Sequence, residues 1–212
     1  MNNYPNIIPV FPLSNFIIFP KTTVPLNIFE PRYIDMVNDS MKSNKLIGMI
    51  QPKKLENKSK TAELYEIGCL GRITSFTETD DGRYLIEVKG VVRFKKNKEI
   101  KTDKKYRILD VDYSEFIDDL KIKEQNMNFS DLELIFKDLK SLFEKRGFVV
   151  NWKALEKQSL DETINALAMA SPFSLEEKQI LLEAKNLDTR KNIIAEILNT
   201  YTHDIYDNTT LQ

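Results

Sequence analysis

The sequence predicts an α+β protein on three observations. Up to about residue 115 the apolar residues recur mostly with period two, the alternation of half-buried strands. Beyond that point the period becomes about 3.6, the repeat of a single helix face. Six of the eight prolines, Pro5, Pro9, Pro12, Pro20, Pro25 and Pro31, fall in the first 31 residues. Proline lacks an N–H and holds φ fixed, so the chain should open with short extended segments joined by rigid corners.

The first element follows from that crowding. Phe16 to Phe19 form an apolar run near the start, but no Lys or Arg precedes Lys21 and Pro9, Pro12 and Pro20 interrupt it, so it does not read as a secretory signal. Nor does any segment approach the roughly 20 apolar residues of a membrane span. Pro31 suits the first turn of a helix, and Ile34, Val37 and Met41 follow at spacings of three and four, so "EPRYIDMVNDSM" opens a helix. "LYEIGCLGRITSF" and "RYLIEVKGVVRF" read as strands, joined by "TETDDG" with a hairpin signal at Asp81-Gly82. Leu109, Val111 and Tyr113 mark another strand, and no internal repeat is visible. The polar segment from Ser114 to Asn128 joins the β part to the helices.

Each helix of the second half has its own start signal. Ser130 and Glu133 form a capping box before the stripe Leu132, Ile135, Phe136, Leu139, Leu142 and Phe143, and Gly147 stands at the C-terminal cap. Asn151 precedes "WKALEKQ", Ser159 and Glu162 frame "LDETINALAMA", and Ser174 and Glu177 frame "LEEKQILLEA" after Pro172. The last helix runs from about Thr189 to Tyr201 on Ile193, Ile194, Ile197, Leu198 and Tyr201, with a tail expected to fray.

Composition narrows the function. The hydrophobic fraction is 42%, the charged fraction 30% and the formal net charge -1, which is an ordinary globular balance with no global attraction to nucleic acid or anionic lipid. One cysteine, Cys69, excludes an internal disulfide and suits a reducing cytoplasm; within a strand pattern it reads as a small buried hydrophobe. Six glycines include no phosphate-cradling loop, and "PKTT" around Lys21 lacks the glycines such a loop needs. His203 is the sole histidine and lies in the tail, far from any nucleophile, so no catalytic, metal-binding or cofactor-binding set is expected. Two lysine-rich stretches, 52 to 60 and 93 to 105, read as solvated loops between strands; as a binding surface they would offer Lys53, Lys54, Lys95 and Lys96 to phosphates or an acidic partner. "GCLG" at 68 to 71 imitates a KH loop but sits in strand-like sequence.

"IPVFPLSNFIIFP", "VPL", "IFEPRY", "LYEIGCLGRI" and "DDGRYLIEVKGVVRF", in that order, closely resemble the N-terminal substrate-binding domain of Lon proteases, particularly the stand-alone bacterial proteins that consist of that domain. The match covers about residues 7 to 113, and "NALAMASPFSLEEKQILLEA" resembles the helical half. Lys21 departs from the glycine common in the family after Phe-Pro. The resemblance implies a PUA-like β-domain over 1–114, with about six strands in a pseudo-barrel and one short helix, then a helical bundle of four or five helices over 115–212. It implies recognition of unfolded or partly folded polypeptides rather than their cleavage, as an adaptor or regulator of proteolysis with a protease as partner, since the ATPase and Ser/Lys peptidase modules of full Lon do not fit in 212 residues. Glu30, Arg32 and Tyr33 are the binding candidates it points to, alongside a role in helix-start capping and packing. The second reading is an RNA-binding module using the lysine-rich segments.

Overall fold

The computed structural model describes residues 4–14, 16–53, 62–121, 132–149, 151–155 and 157–209, with side chains of the last helix described to Tyr201. The chain divides into two compact units, Met1–Lys121 and Ile122–Gln212.

The first unit holds β1 (Ile7–Pro12), β2 (Thr23–Ile28), α1 (Pro31–Met41), β3 (Leu46–Ile50), β4 (Ile67–Glu78), β5 (Tyr84–Ile100) and β6 (Arg107–Asp112), followed by a 3₁₀ segment, Ser114–Leu120. The strand order is β2-β5-β4-β3-β1-β6, and β5 pairs with β6 as well. Five strands therefore close into a ring, with β2 added beside the first half of β5. Only β1 and β3 run parallel. Closure pairs β6 back onto β5, which removes the edge β6 would otherwise expose, and buries one row of side chains, among them Ile8, Val10, Leu70, Val88, Phe94 and Val111. Gly68 leaves room for Phe94, whose ring lies 2.5 Å from where its Cβ would stand, and a Cβ at Gly48 would meet Ile8 and Val10 at 2.8 Å.

Prolines sit where the ladder needs no donor. β1 pairs with β6 through residues 7–10 and with β3 through 10–12, so Pro9 and Pro12 each lie where one side of the strand is free. The apolar run after Pro12 forms no strand; Ile17, Ile18 and Phe19 are buried in an irregular connection. It ends in a turn in which the Thr22 N–H donates to the Phe19 carbonyl at 3.2 Å, with Pro20 second and Lys21 third at φ 67. This is a type II turn, whose third position calls for glycine. Lys21 N–H donates to the Gly90 carbonyl and Gly90 N–H to the Thr22 carbonyl, both at 2.8 Å, the bonding of a G1 bulge. Lysine occupies the position where such a turn favours glycine, and the backbone keeps the glycine conformation.

Several sequence expectations are corrected here. The helix expected over "EPRYIDMVNDSM" is α1, and its buried residues are Tyr33, Met36, Val37 and Ser40, because it packs on β1 through Phe11 and Tyr33, rings 4.3 Å apart. Arg93–Ile100 is the second half of β5 rather than a loop, so Lys95 and Lys96 are strand residues. Residues 114–121 are not a free linker. Phe116 is buried under the Arg93 guanidinium, 4.3 Å from the ring, and Asp119 accepts from Arg93 Nε at 2.9 Å, Nη2 at 2.8 Å and the Arg93 backbone N–H at 3.0 Å. Of the remaining linker segment, 122–131 lies outside the described residues, and so does the Ser130 half of the expected capping box.

The second unit comprises α2 (Glu133–Lys145), α3 (Trp152–Leu155), α4 (Leu160–Ala170), α5 (Leu175–Glu183) and α6 (Leu187–Thr209). Its punctuation is local. Gly147 at φ 73 closes α2 in a Schellman motif, with Phe148 N–H to the Phe143 carbonyl at 2.9 Å and Gly147 N–H to Glu144 at 3.1 Å. Glu177 N–H donates to Ser174 Oγ at 3.1 Å and Ser174 N–H to the Glu177 carboxylate at 2.6 Å, a complete capping box. Arg190 of α6 is buried and ties three helices together, donating to the Leu181 carbonyl at 2.7 Å and to Asn165 Oδ1 at 2.5 Å. α6 runs on from Tyr201 to Thr209, past the end that its apolar stripe suggests. No described helix is long and apolar enough to cross a membrane.

Candidate functional site

Ile28 ends β2 pointing inward, so the next residue must point outward, and Phe29 is 62% exposed. Glu30 is the N-cap of α1, but its side chain makes no capping hydrogen bond; it accepts instead from Arg32 Nε at 2.9 Å. The Arg32 guanidinium lies 4.6 Å over the Tyr33 ring. Burial raises the Tyr33 hydroxyl above its ordinary pKa, keeping it a neutral donor and acceptor.

These residues line one groove of about 1370 Å³ in the first unit. One wall is β2 from Val24 to Asn27 with Phe29. A second is the Pro12–Phe16 connection, and the third runs from Glu99 at the end of β5 to Arg107 at the start of β6. Phe16, Leu26 and Phe29 contribute accessible apolar surface to it. Charge gathers on the third wall: Arg107 forms an ion pair with Glu99 at 2.6 Å, and Lys104 and the Tyr106 hydroxyl both donate to Asp39, at 2.8 and 2.6 Å. Those two hydrogen bonds hold the Asp39 carboxyl below the usual carboxylate range, while burial and the Asp39 bond push Tyr106 well above that of a free tyrosine.

Glu30, Arg32 and Tyr33 thus come together on one surface. The lysine candidates do not join them. Lys53 pairs with Glu63 at 2.8 Å, a bond that raises the lysine pKa and lowers the glutamate's. Lys95 faces Glu115 at 3.7 Å, and Lys96 pairs with Glu66 at 3.0 Å while donating to the Leu64 carbonyl. Lys54 lies outside the described residues. Each described lysine of the set therefore has a carboxylate neighbour, and the RNA-binding reading gains no support. Cys69 is fully buried in β4. Among the described residues no group of three or more His, Cys, Asp or Glu side chains is placed to hold a metal ion.

Sequence reasoning missed Phe29, and it singled out the lysine-rich stretch 93 to 105 without placing its end opposite α1 as the third wall. The signal for Phe29 was present: two adjacent large apolar residues, Ile28 and Phe29, at a strand end cannot both face the same core. The charge of the third wall was visible in the sequence, but its place beside α1 was not, because its residues are some 70 positions from α1.

Comparison with known proteins agrees with this architecture. The family model of the ATP-dependent protease La (LON) substrate-binding domain matches residues 7–200. The chain is 26% identical over 198 residues to a Lon protease of Desulfosudis oleivorans, covering 92% of this chain and 24% of that protein. It is 30% identical over 203 residues to a Lon protease of Malacoplasma penetrans, covering 89% and 25%. It therefore spans about a quarter of the length of the curated relatives it matches. Among solved structures, a Lon N-terminal domain protein from Xanthomonas campestris superposes with TM-score 0.64 at 20% identity, over 89% of this chain and 97% of that one. The N-terminal domain of a Mycobacterium avium complex Lon protease gives 0.62 at 14% identity, over 91% and 98%.

The fold is that of Lon N-terminal domains. The chain belongs to the Lon substrate-binding domain family.

Proposed function

We propose that the first unit is a non-catalytic polypeptide-binding module that takes unfolded or partly folded chains into the groove between β2, α1 and the β5–β6 connection. The observation that carries this reading is Phe29, a large aromatic 62% exposed beside Phe16 and Leu26 and rimmed by paired charges, where a monomeric fold gains nothing from leaving it out. The family's description as a substrate-binding domain supports it. In the same reading the closed sheet is a PUA-like pseudo-barrel occupying 1–114, and α2 to α6 form a helical bundle over 115–212. Glu30, Arg32 and Tyr33 orient the bound segment, and the module serves as an adaptor or regulator of proteolysis.

The test is titration of fluorescent casein, an unfolded client, against wild type and Phe29→Ala, with a fluorescent single-stranded RNA in parallel. Phe29→Ala should weaken casein binding about 10-fold, the loss of one partly buried aromatic anchor. Casein affinity should change little between about 50 and 200 mM salt, whereas phosphate-driven RNA binding would fall steeply. Equal casein affinity in wild type and variant would remove the groove from consideration.

A further inference from the structure

We infer that β2 presents a free sheet edge to the bound polypeptide and that the client adds to it as an extended strand. This rests on the polypeptide-binding reading above and specifies how the backbone of the client is held.

The direction of every backbone group in β2 follows from the bulge that starts it. Lys21 N–H and the Thr22 carbonyl both bond Gly90, so the Thr22–Gly90 position is hydrogen-bonded. In an antiparallel ladder such positions alternate with unbonded ones. The register Thr23–Lys89, Val24–Val88, Pro25–Glu87, Leu26–Ile86, Asn27–Leu85, Ile28–Tyr84 then assigns Val24, Leu26 and Ile28 to bonding β5. Thr23, Pro25 and Asn27 point their backbone groups away from it. The assignment is consistent with the other edge of β5: Thr79 N–H bonds the Arg83 carbonyl, and stepping by two places Leu85 and Glu87 in bonded positions toward β4. Proline confirms the phase, because Pro25 has no N–H to give and stands where β5 asks for none.

Among the described residues β5 is the sole strand paired with β2, and Thr23, Pro25 and Asn27 are all exposed. The outer edge therefore offers the N–H groups of Thr23 and Asn27 and the carbonyls of all three residues. Such a row is complementary to one kind of partner, the backbone of an extended polypeptide. Pro25 deletes the middle donor, which divides the edge into two bonding points about 13 Å apart along the strand. A client must be extended over about six residues to reach both, while the gap blocks the continuous ladder by which two copies of an edge would aggregate.

The client's side chains are specified by the groove that β2 lines. Alternate side chains of an added strand point to one face, which suits Phe16 and Phe29. Five cationic side chains, Arg32, Lys101, Lys104, Lys105 and Arg107, line the groove, and four carboxylates, Glu30, Asp39, Asp35 and Glu99, pair with four of them, which leaves a balance of one positive charge. Charge complementarity favours a client whose apolar residues are flanked by Asp or Glu over one flanked by Lys.

The experiment uses the whole chain and two fluorescent eight-residue peptides of alternating Phe or Val with Ser, one ending in Asp residues and one in Lys. Amide hydrogen exchange is read residue by residue on wild type, free and with the Asp-ended peptide. Strand addition predicts that the Thr23 and Asn27 amides become protected at least about 10-fold on binding, as hydrogen-bonded amides do. Asn27→Pro removes one edge donor without touching the β5 ladder and should weaken binding about 5-fold, whereas Asn27→Ala keeps the N–H and should bind as wild type. The Asp-ended peptide should bind about 3-fold tighter than the Lys-ended one. Peptide binding that depends on Phe29 but leaves both amides unprotected would overturn strand addition while leaving the groove reading intact. No binding of either peptide or of casein would remove both. The wild-type exchange measurement decides the matter even if Asn27→Pro folds poorly.

Discussion

The helical unit and the β unit are organised by different ranges of interaction. In the helices the contacts that start and stop each element join residues three to five apart: Ser174 with Glu177, Ser159 with Glu162, Phe148 with Phe143. In the β unit they join distant positions. Asp119 reaches Arg93, the Tyr113 hydroxyl donates to the Pro5 carbonyl at 2.8 Å, and Gly90 lies against the backbone of Phe19. A local contact is encoded by neighbouring residue types and costs about 1 kcal/mol to remove. A long-range one is invisible as a motif, and because burial surrounds it, its loss costs several times more.

The largest effect that sharpens this contrast is expected at Asp119. The Arg93 and Asp119 side chains are 3% and 10% exposed, so Asp119→Ala leaves a buried guanidinium without its carboxylate and should destabilise the first unit by about 3 to 5 kcal/mol. A urea midpoint within error of wild type would show that water reaches the pair. Next is Gly90→Ala. An added Cβ would lie 2.1 Å from the Phe19 carbonyl oxygen, a backbone atom that cannot rotate aside, so the turn and bulge must shift at a cost of about 3 kcal/mol. Accelerated amide exchange at Lys21 and Gly90 is the local readout. A stability loss below that of a cap would place the contact among the weak ones.

The helical side of the comparison gives the smaller numbers. Ser174→Ala should cost about 1 kcal/mol, read from the fluorescence midpoint of Trp152, the only tryptophan and a residue of the same unit. A loss as large as that of Asp119→Ala would break the distinction. Smallest, and of opposite sign, is Lys21→Gly. Removing a Cβ from φ 67 relieves strain while adding freedom to the unfolded chain, for a net gain of about 0.5 kcal/mol in the thermal melt.

How much was legible in the sequence follows the same division. Pro31 announced α1, Asp81-Gly82 announced the β4–β5 hairpin with Gly82 at φ 79, and Gly147 announced the end of α2. That Tyr33 would join the buried face of α1 was not legible, because it packs on Phe11 of β1, a preference that no spacing within the helix records. Lys95 and Lys96 looked like loop residues because charge dominates their neighbourhood. β5 holds them extended because β4 and β6 flank it there and supply the ladder. Of the candidate site, the Glu30–Tyr33 corner and the lysine-rich stretch 93 to 105 were each found, but not that they share one groove.

The sequence by itself determined where most elements begin and end, that strands precede helices, and that Pro25 belongs at an unpaired edge position. These properties depend on residues within a turn or two of one another, where side-chain chemistry acts directly on φ, ψ and the nearest backbone groups. Tertiary structure alone decided that β5 would be shared by three strands, that Arg93 would be buried beside Asp119, and that Phe29 would face the Glu99–Arg107 segment across a groove. Those outcomes depend on which distant surfaces meet when the ring closes, and burial confers energy on such contacts only after the chain has brought them together.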